Sequence, residues 1–348
     1  MVEVAFAIPG DLETRTGGYA YDREVLKRLP QLGVAARHLP LPGGYPAPSA
    51  DDLAATAHSF AELPDDTVLI IDGLAFGAMP RDLIASIRQP IIALVHHPLG
   101  YETGLSPDRA KALIESERQA LALARRVIVT SPLTKRLLAA EFDVPEGAIT
   151  VAIPGTLPAP RAQGPGTPLH LLSIGSVSPR KGFPFLIDAL GAMKEHDWTL
   201  TIAGSLKRDP EAARHLRDTI AAHDLGKRVT LKGELGTAAI SQLYTTADVF
   251  VLPSLFEGYG MVLTEAMVRG LPIVCTTGGA AAETVPDAAA LKVAPGSASA
   301  LGEALGRLMT DTALRRTMSD AAWKAGQKLP HWRDTTLYTI AVIREVAK

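Results

Sequence analysis

The sequence predicts an α/β protein of two Rossmann-like domains facing a cleft, and three observations lead there. Short apolar runs of strand length alternate with helically spaced apolar residues through the 348 residues, the pattern of parallel sheets covered by helices on both faces. Near the middle, residues 156–168 (TLPAPRAQGPGTP) are rich in Pro and Gly and lack periodicity, which marks an interdomain linker. Each half also carries a turn in which a strand runs through glycines into a helix, a geometry that suits a ligand at the carboxyl ends of strands. The chain divides accordingly into residues 1–155, the linker 156–168 and residues 169–330, followed by a helical segment 331–348.

In the first domain the strands are expected at Val2–Ile8, Val68–Ile71, Ile91–Val95 and Val127–Thr130. After the first comes Thr14-Arg15-Thr16-Gly17-Gly18-Tyr19, then a helix with Tyr21, Val25 and Leu29 on one face. Gly17-Gly18 before a helix permits close approach of backbone to a ligand. A plain strand–helix turn explains the pair equally well, and both readings stay open. Ile91–Val95 runs into His96-His97-Pro98-Leu99-Gly100-Tyr101-Glu102. Successive side chains of an extended chain point to opposite sides, so one histidine faces the ligand side while the other turns outward or caps the loop. Local spacing offers no further His, Cys or acid as a metal ligand, and neither a metal nor a cofactor is expected. Glu102 reads as a ligand-binding acid or as a surface acid. Ser106-Pro107 then forms an N-cap with Pro at the first helical position.

In the second domain the strands are expected at Leu169–Ser173, Thr199–Ala203, Val229–Leu231, Val249–Leu252 and Ile273–Thr276. Residues 254–274 (SLFEGYGMVLTEAMVRGLPIV) are the most informative stretch of the chain. The run Val249–Leu252 breaks at Pro253 and passes through Glu257-Gly258-Tyr259-Gly260. Helical spacing resumes at Val262, Ala266 and Met267 and stops at Gly270-Leu271-Pro272. A helix entered this way aims free N–H groups at whatever lies in front of it, which suits an anion. Glu257 lies in the loop, and Glu265 follows eight residues later in the helix. Upstream, Leu169–Ser173 runs through Gly175-Ser176 to Ser178-Pro179-Arg180-Lys181-Gly182 and a helix bearing Phe183, Leu186, Ile187 and Leu190. In isolation Arg180-Lys181 would be solubilising charge and Glu265 a solvated helix face. The strand–glycine–helix setting assigns them instead to a bound phosphate compound.

Composition narrows the function classes. The chain is 47% hydrophobic and 21% charged, a soluble globular profile. It shows no basic-then-apolar leader and no apolar run near the ~20 residues needed to span a bilayer, so a cytoplasmic location is expected. The single Cys275 excludes an internal disulfide and reads as a core thiol. A net charge of −2 leaves no nucleic-acid footprint. Residues 1–160 carry 14 Lys+Arg against 19 Asp+Glu and the remainder 21 against 18, which gives −5 and +3. A basic second half agrees with an anionic ligand there. Arg125-Arg126 and Lys135-Arg136 leave two readings open: a peripheral contact with the inner membrane face, or plain surface charge.

The stretch from Glu257 to Val274 resembles the E-x7-E region of the family-four retaining nucleotide-sugar glycosyltransferases, which have the GT-B fold and whose usual text runs close to EGFGLPLLEAMACGLPVV. Gly175 to Gly182 is similar to their G-x5-K-G element. The resemblance implies that Arg180 and Lys181 contact the donor diphosphate, helped by the amides around Gly260, Met261 and Val262. It implies that Glu265 binds ribose hydroxyls, that Glu257 binds sugar hydroxyls, and that Gly258, Gly175, Ser176, Gly204 and Leu235 line the donor site. The family holds the nucleobase mainly through backbone groups, so a UDP-, GDP- or ADP-linked donor is not distinguished. His96 matches a strand-end histidine that contacts the donor sugar or positions the acceptor, which places Gly17, Gly18, His97 and Glu102 on an acceptor or phosphate loop. The final helix, with Leu337, Ile340 and Ile343 at helical spacing, is expected to cross back to the first domain.

The implied reaction moves a sugar, with retained configuration, from the nucleotide donor to a hydroxyl of a glycan, lipid-linked or small-polyol acceptor. Cations stabilise the diphosphate as it departs. Positive charge builds on the sugar in an oxocarbenium-like transition state, and the departing phosphate oxygen can itself take the acceptor proton. Glu257 as a covalent nucleophile stays open. No Asp-x-Asp occurs, so metal bridging of the diphosphate is not indicated. Two alternatives share the architecture: a nucleotide-sugar 2-epimerase and a non-catalytic sugar-nucleotide-binding subunit. A dehydrogenase is excluded, because neither a G-x-G-x-x-G fingerprint nor a P-loop is present.

Overall fold

The computed structural model describes residues 2–348. The chain forms two compact units, one of residues 1–155 with 330–348 and one of residues 156–329. Each is a six-stranded parallel sheet with helices on its faces, as expected of two Rossmann-like domains.

In the first unit β1 (Glu3–Pro9), β2 (Ala35–Leu41), β3 (Val68–Asp72), β4 (Ile91–Val95), β5 (Arg126–Val129) and β6 (Ile149–Val151) are ordered β2-β1-β3-β4-β5-β6. β3 and β4 are buried at every residue, which is why they read as continuous apolar runs. β2 and β6 escaped the sequence reading because both are edges. β2 alternates exposed and half-buried positions and contains Pro40, which an edge tolerates and a central strand does not; β6 has three residues. The order reverses between β1 and β3, so the carboxyl ends of β1, β3 and β4 surround a topological switch point. Gly17 and Gly18 are not a loop as expected. They open the helix Gly17–Arg28, with Thr16 as N-cap accepting the Tyr19 N–H at 3.4 Å.

The terminal helix Trp332–Val346 belongs to the first unit. Its buried stripe runs through Trp332, Thr335, Thr336, Thr339, Ile340 and Ile343, a 3.6-residue period. Leu337, expected on that stripe, is 40% exposed instead. Threonines replace it because their hydroxyls find acceptors: Thr336 and Thr339 donate to the carbonyls four residues back, and Thr335 donates to Ile153 O at 2.8 Å. Trp332 meets the edge of Tyr21 at 5.6 Å between centroids, and Tyr21 Oη donates to Ala152 O at 3.0 Å. The paired arginines also serve this helix. Arg125 donates to Val346 O at 3.3 Å and Arg126 pairs with Glu345 at 3.0 Å, so neither is simply solvated surface charge.

In the second unit β7 (Leu169–Ile174), β8 (Trp198–Ala203), β9 (Val229–Leu231), β10 (Val249–Leu252), β11 (Ile273–Thr276) and β12 (Ala290–Val293) are ordered β12-β11-β10-β7-β8-β9. Counted within the unit this is 6-5-4-1-2-3, the dinucleotide-fold order, with its reversal between β7 and β10. One face of the sheet packs through Leu171, Leu186, Trp198 and Leu305, the other through Leu172, Phe250, Leu263 and Cys275. Burial pushes the Cys275 thiol up to about 12, so it stays protonated. The stretch 156–168 is not a free tether. Ala162 and Gln163 donate to Arg269 O and Thr245 O, both at 2.8 Å, and Gly166 donates to Asp248 Oδ1 at 3.0 Å. Among the described residues no helix is long and apolar enough to cross a membrane.

Because Trp332 anchors the terminal helix, Trp332→Ala is expected to destabilise the first unit by about 3–5 kcal/mol. Leu337→Ala, on the exposed face, is expected to change it by less than about 0.5 kcal/mol. Urea unfolding followed by far-UV dichroism checks both.

Candidate active site

Two loops meet at the β7/β10 reversal of the second unit. After β7 the chain passes Gly175-Ser176 and makes a tight turn over Pro179–Lys181, closed by Gly182 at φ 63°. A Cβ at Gly182 would stand 2.2 Å from Pro253 O; only glycine fits both the left-handed backbone and the close approach. The turn therefore lies directly on the loop that follows β10, and Leu255 N–H donates to Arg180 O at 2.7 Å. Lys181 Nζ is held 2.5 Å from Glu257 Oε1, which also accepts Ser254 Oγ–H at 2.6 Å. Arg180 Nη1 donates to Phe256 O at 2.8 Å and lies 3.6 Å from Glu257 Oε2. Gly175 leaves room for the lysine stem, since a Cβ there would come within 3.1 Å of Lys181 Cε.

Glu257 is 6% exposed. Burial alone would raise its pKa, but Lys181 and Arg180 hold the carboxyl down at about 2, helped by the Ser254 hydroxyl. Its backbone is clamped by the turn after β11: Glu257 N–H donates to Gly278 O at 3.2 Å, and Ala280 N–H donates to Glu257 O at 2.7 Å. Two cations against one ionised carboxylate leave the cluster a net positive charge, and an incoming phosphate is attracted to it.

Glu265 lies on the short helix Met261–Met267, behind the N-cap Gly260, with Met261 and Val262 in the first turn and Gly258 in the loop before it. Tyr244 Oη donates to Glu265 Oε2 at 2.9 Å, and the Arg269 guanidinium lies 4.6 Å over the Tyr244 ring. Burial raises the Glu265 pKa, opposed by the Tyr244 hydrogen bond and Arg269. It is a held, half-buried acid, not a solvated helix face. Leu235, beyond β9, packs against the same apolar cluster as Tyr244. Gly204 follows β8 and donates to Gly233 O at 2.8 Å, and the half-buried Ser176 follows Gly175.

At the switch point of the first unit, His96 Nε2 lies 3.1 Å from Asp22 Oδ1 and 3.3 Å from Asp72 Oδ2. Local spacing offered this histidine no acid; the fold supplies two. Burial would lower its pKa, but Asp22 and Asp72 raise it to about 10. Burial pushes the Asp22 carboxyl up against the pull of His96. The ring packs on Gly18, where a Cβ would stand 3.2 Å from His96 Cδ2, so the close approach read from Gly17-Gly18 is made by His96. His97 and Glu102, treated as separate candidates, pair with each other at 3.4 Å. The sequence reading missed Asp22, Asp72, Ser254, Tyr244 and Arg269. Only Asp72 left a local signal, an acid at the carboxyl end of a buried strand.

Residues 160–325 match the family model of Glycosyl transferases group 1. The match lies wholly within the second domain. Glycosyltransferase activity is the class of function this match supports. Over the longer chain, MMP alpha-(1->4)-mannosyltransferase of Mycolicibacterium hassiacum is 24% identical over 316 residues, 86% of this chain and 75% of the relative. Among solved structures, sucrose-phosphate synthase from Thermosynechococcus elongatus superposes with a TM-score of 0.85 at 21% identity, covering 99% of each chain. HepE from Anabaena, crystallised with UDP-glucose, gives 0.78 at 18% identity, covering 99% of this chain and 100% of HepE. At these identities the two solved structures establish the fold alone.

In the second domain, Lys181→Ala leaves Glu257 buried with half its countercharge and is expected to cost about 3 kcal/mol of stability. Adding Glu257→Gln is expected to restore most of it, as read by chemical unfolding. The folded pKa of Glu257 lies below its ordinary carboxyl value. Its stabilising contribution is therefore complete above about pH 4.5 and is lost as pH falls toward 2. Thermal melts between pH 6 and 2.5 are expected to fall less steeply for Glu257→Gln than for the wild type.

Proposed function

We propose that the protein is a retaining glycosyltransferase that moves a sugar from a nucleotide-diphosphate-sugar to a hydroxyl acceptor. The observation that carries this reading is the Arg180–Lys181–Glu257 cluster at the β7/β10 reversal, where sheets of this order take phosphate-linked ligands. In this reading Arg180 and Lys181 stabilise the diphosphate as the glycosidic bond breaks, the step at which its negative charge grows. Glu257, already ionised, accepts hydrogen bonds from sugar hydroxyls. Glu265, oriented by Tyr244, takes the ribose hydroxyls.

The state of Glu257 bears on stereochemistry. A carboxylate with its pKa held at about 2 and one oxygen shared by Lys181 and Ser254 is a poor base at neutral pH. Its tethering also opposes service as a nucleophile. The departing phosphate oxygen is then the proton acceptor, on the face the acceptor attacks, and the configuration is retained. HepE, with UDP-glucose in its crystal, makes a uridine nucleotide the first donor to test.

Calorimetry of the wild type against UDP-, GDP- and ADP-sugars is expected to give binding by at least one; no binding by any of them sinks the reading. With the donor identified, Arg180→Gln is expected to weaken the nucleoside diphosphate ten- to a hundredfold, about 1.4–2.8 kcal/mol. The same change is expected to leave the affinity for the bare nucleoside unaltered.

A further inference from the structure

Arg269 carries a charge for which the transfer reaction as described has no use. The glycosyltransferase text that residues 257–274 resemble, EGFGLPLLEAMACGLPVV, has cysteine at this position, and no other difference in the stretch adds a charge. An arginine one turn after a glutamate ordinarily pairs with its carboxylate. Here Nη1 donates instead to the backbone oxygen of Glu265 at 2.9 Å and Nη2 to Ser241 Oγ at 3.3 Å. The guanidinium itself lies 4.6 Å over the Tyr244 ring. Ser241 and Tyr244 both belong to the helix Thr237–Thr245, so one arginine ties that helix to the end of the helix bearing Glu265.

Tyr244 is the group that reaches the carboxylate. It is fully buried, and its ring stacks on Phe250 at 5.6 Å between centroids. Its hydroxyl donates to Glu265 Oε2 at 2.9 Å and lies 3.1 Å from Val262 O. Burial and Glu265 raise the Tyr244 pKa, so the phenol keeps its proton to donate. A cation over an aromatic face draws electron density from the ring, which makes that hydroxyl a stronger donor. Oε1, the other carboxylate oxygen, accepts no hydrogen bond among the described residues and is reachable from solvent. A guanidinium paired directly with the carboxylate would cover both oxygens with its planar fork. The groups that bear on the charge of Glu265 are Tyr244, on the neighbouring helix, and Arg269. The helices Ala281–Thr284 and Thr312–Gly326 also pack on this one and bring Glu283, Arg315, Arg316, Asp320 and Lys324, none of which acts on the carboxyl.

We infer that Arg269 is a positioning residue that acts through Tyr244, keeping Glu265 ionised while leaving Oε1 open as an acceptor for the vicinal hydroxyls of a ribose. The identity of that ligand rests on the transferase reading, in which a nucleoside diphosphate occupies this domain. A buried carboxylate with one neutral donor gains a proton readily as pH falls, and a protonated acid is a weaker acceptor for hydroxyls. Charge supplied from behind the ring delays that protonation without covering the oxygen the ligand needs. The preference for a ribose over a sugar without those hydroxyls then depends on a residue set behind the tyrosine.

Two measurements on the full chain test this. Carboxyl-carbon shifts of protein labelled at glutamate, assigned with Glu265→Gln, give the Glu265 midpoint with no ligand present. Arg269→Gln keeps amide donors and removes the charge, whereas Tyr244→Phe removes one oxygen and keeps the ring. Each is expected to raise the midpoint by about half a pH unit or more, because each loses stabilisation of the ionised form. Arg269→Lys, which keeps a cation at the ring, is expected to leave it within about 0.3 of the wild type. A midpoint unmoved in either Arg269→Gln or Tyr244→Phe overturns the inference. Calorimetry with UDP, GDP or ADP, whichever binds, and its 2′,3′-dideoxy counterpart reads the role. The wild type is expected to prefer the ribonucleotide about tenfold at neutral pH. On acidification Arg269→Gln is expected to lose that preference about half a pH unit sooner. Equal loss of both nucleotides with an unmoved pH dependence, the result of a merely structural role, overturns the assignment. Failure of the transferase reading appears as no nucleotide bound by the wild type, and the ligand-free midpoints then still decide whether Arg269 sets the charge of Glu265.

Discussion

A carboxylate almost sealed from water lies between a lysine and an arginine at the centre of the second domain, and the local architecture follows from keeping it charged. Glu257 would protonate if it were buried alone. Lys181 and Arg180 prevent this, but only because the turn that carries them rests on the loop after β10. That contact needs a glycine at position 182 and a clamp from the Gly278–Ala280 turn on the other side. Three segments remote in sequence are thus committed to one electrostatic arrangement, in which two cations meet one carboxylate.

The first domain repeats the logic with the signs exchanged. A cationic ring stands between two buried acids, again where the strand order of the sheet reverses. At such points neighbouring connections leave in opposite directions and expose the strand ends. Ionisable groups there can be buried on one side and remain reachable on the other. Both domains place a buried cluster of opposite charges at that location.

Low identity to the matched solved structures is compatible with a shared fold because the sheets tolerate any well-packed apolar filling. The group 1 signature is confined to residues 160–325, the domain whose loops carry the Arg180–Lys181 and Glu257–Glu265 elements. The first domain has to satisfy different constraints: a terminal helix seated through threonines, and a histidine held by acids from two other segments.

The amino-acid order by itself determined the central strands. β4, β10 and β11 are buried, mainly apolar runs bounded by breakers, so period and length settled them with the correct ends. It also determined the strand–glycine–helix turns, because glycine, proline and helical spacing act over a few residues. Local rules could not reach the edge strands β2, β6 and β12, which lack two-sided burial, or the face of the terminal helix, where threonines do the packing and Leu337 does not. Only the tertiary structure decided which charges meet. Lys181 and Glu257 are 76 residues apart and His96 and Asp22 are 74 apart. Coulomb energy in a desolvated site depends on separation in space, and the order of the strands in the sheets fixes that separation.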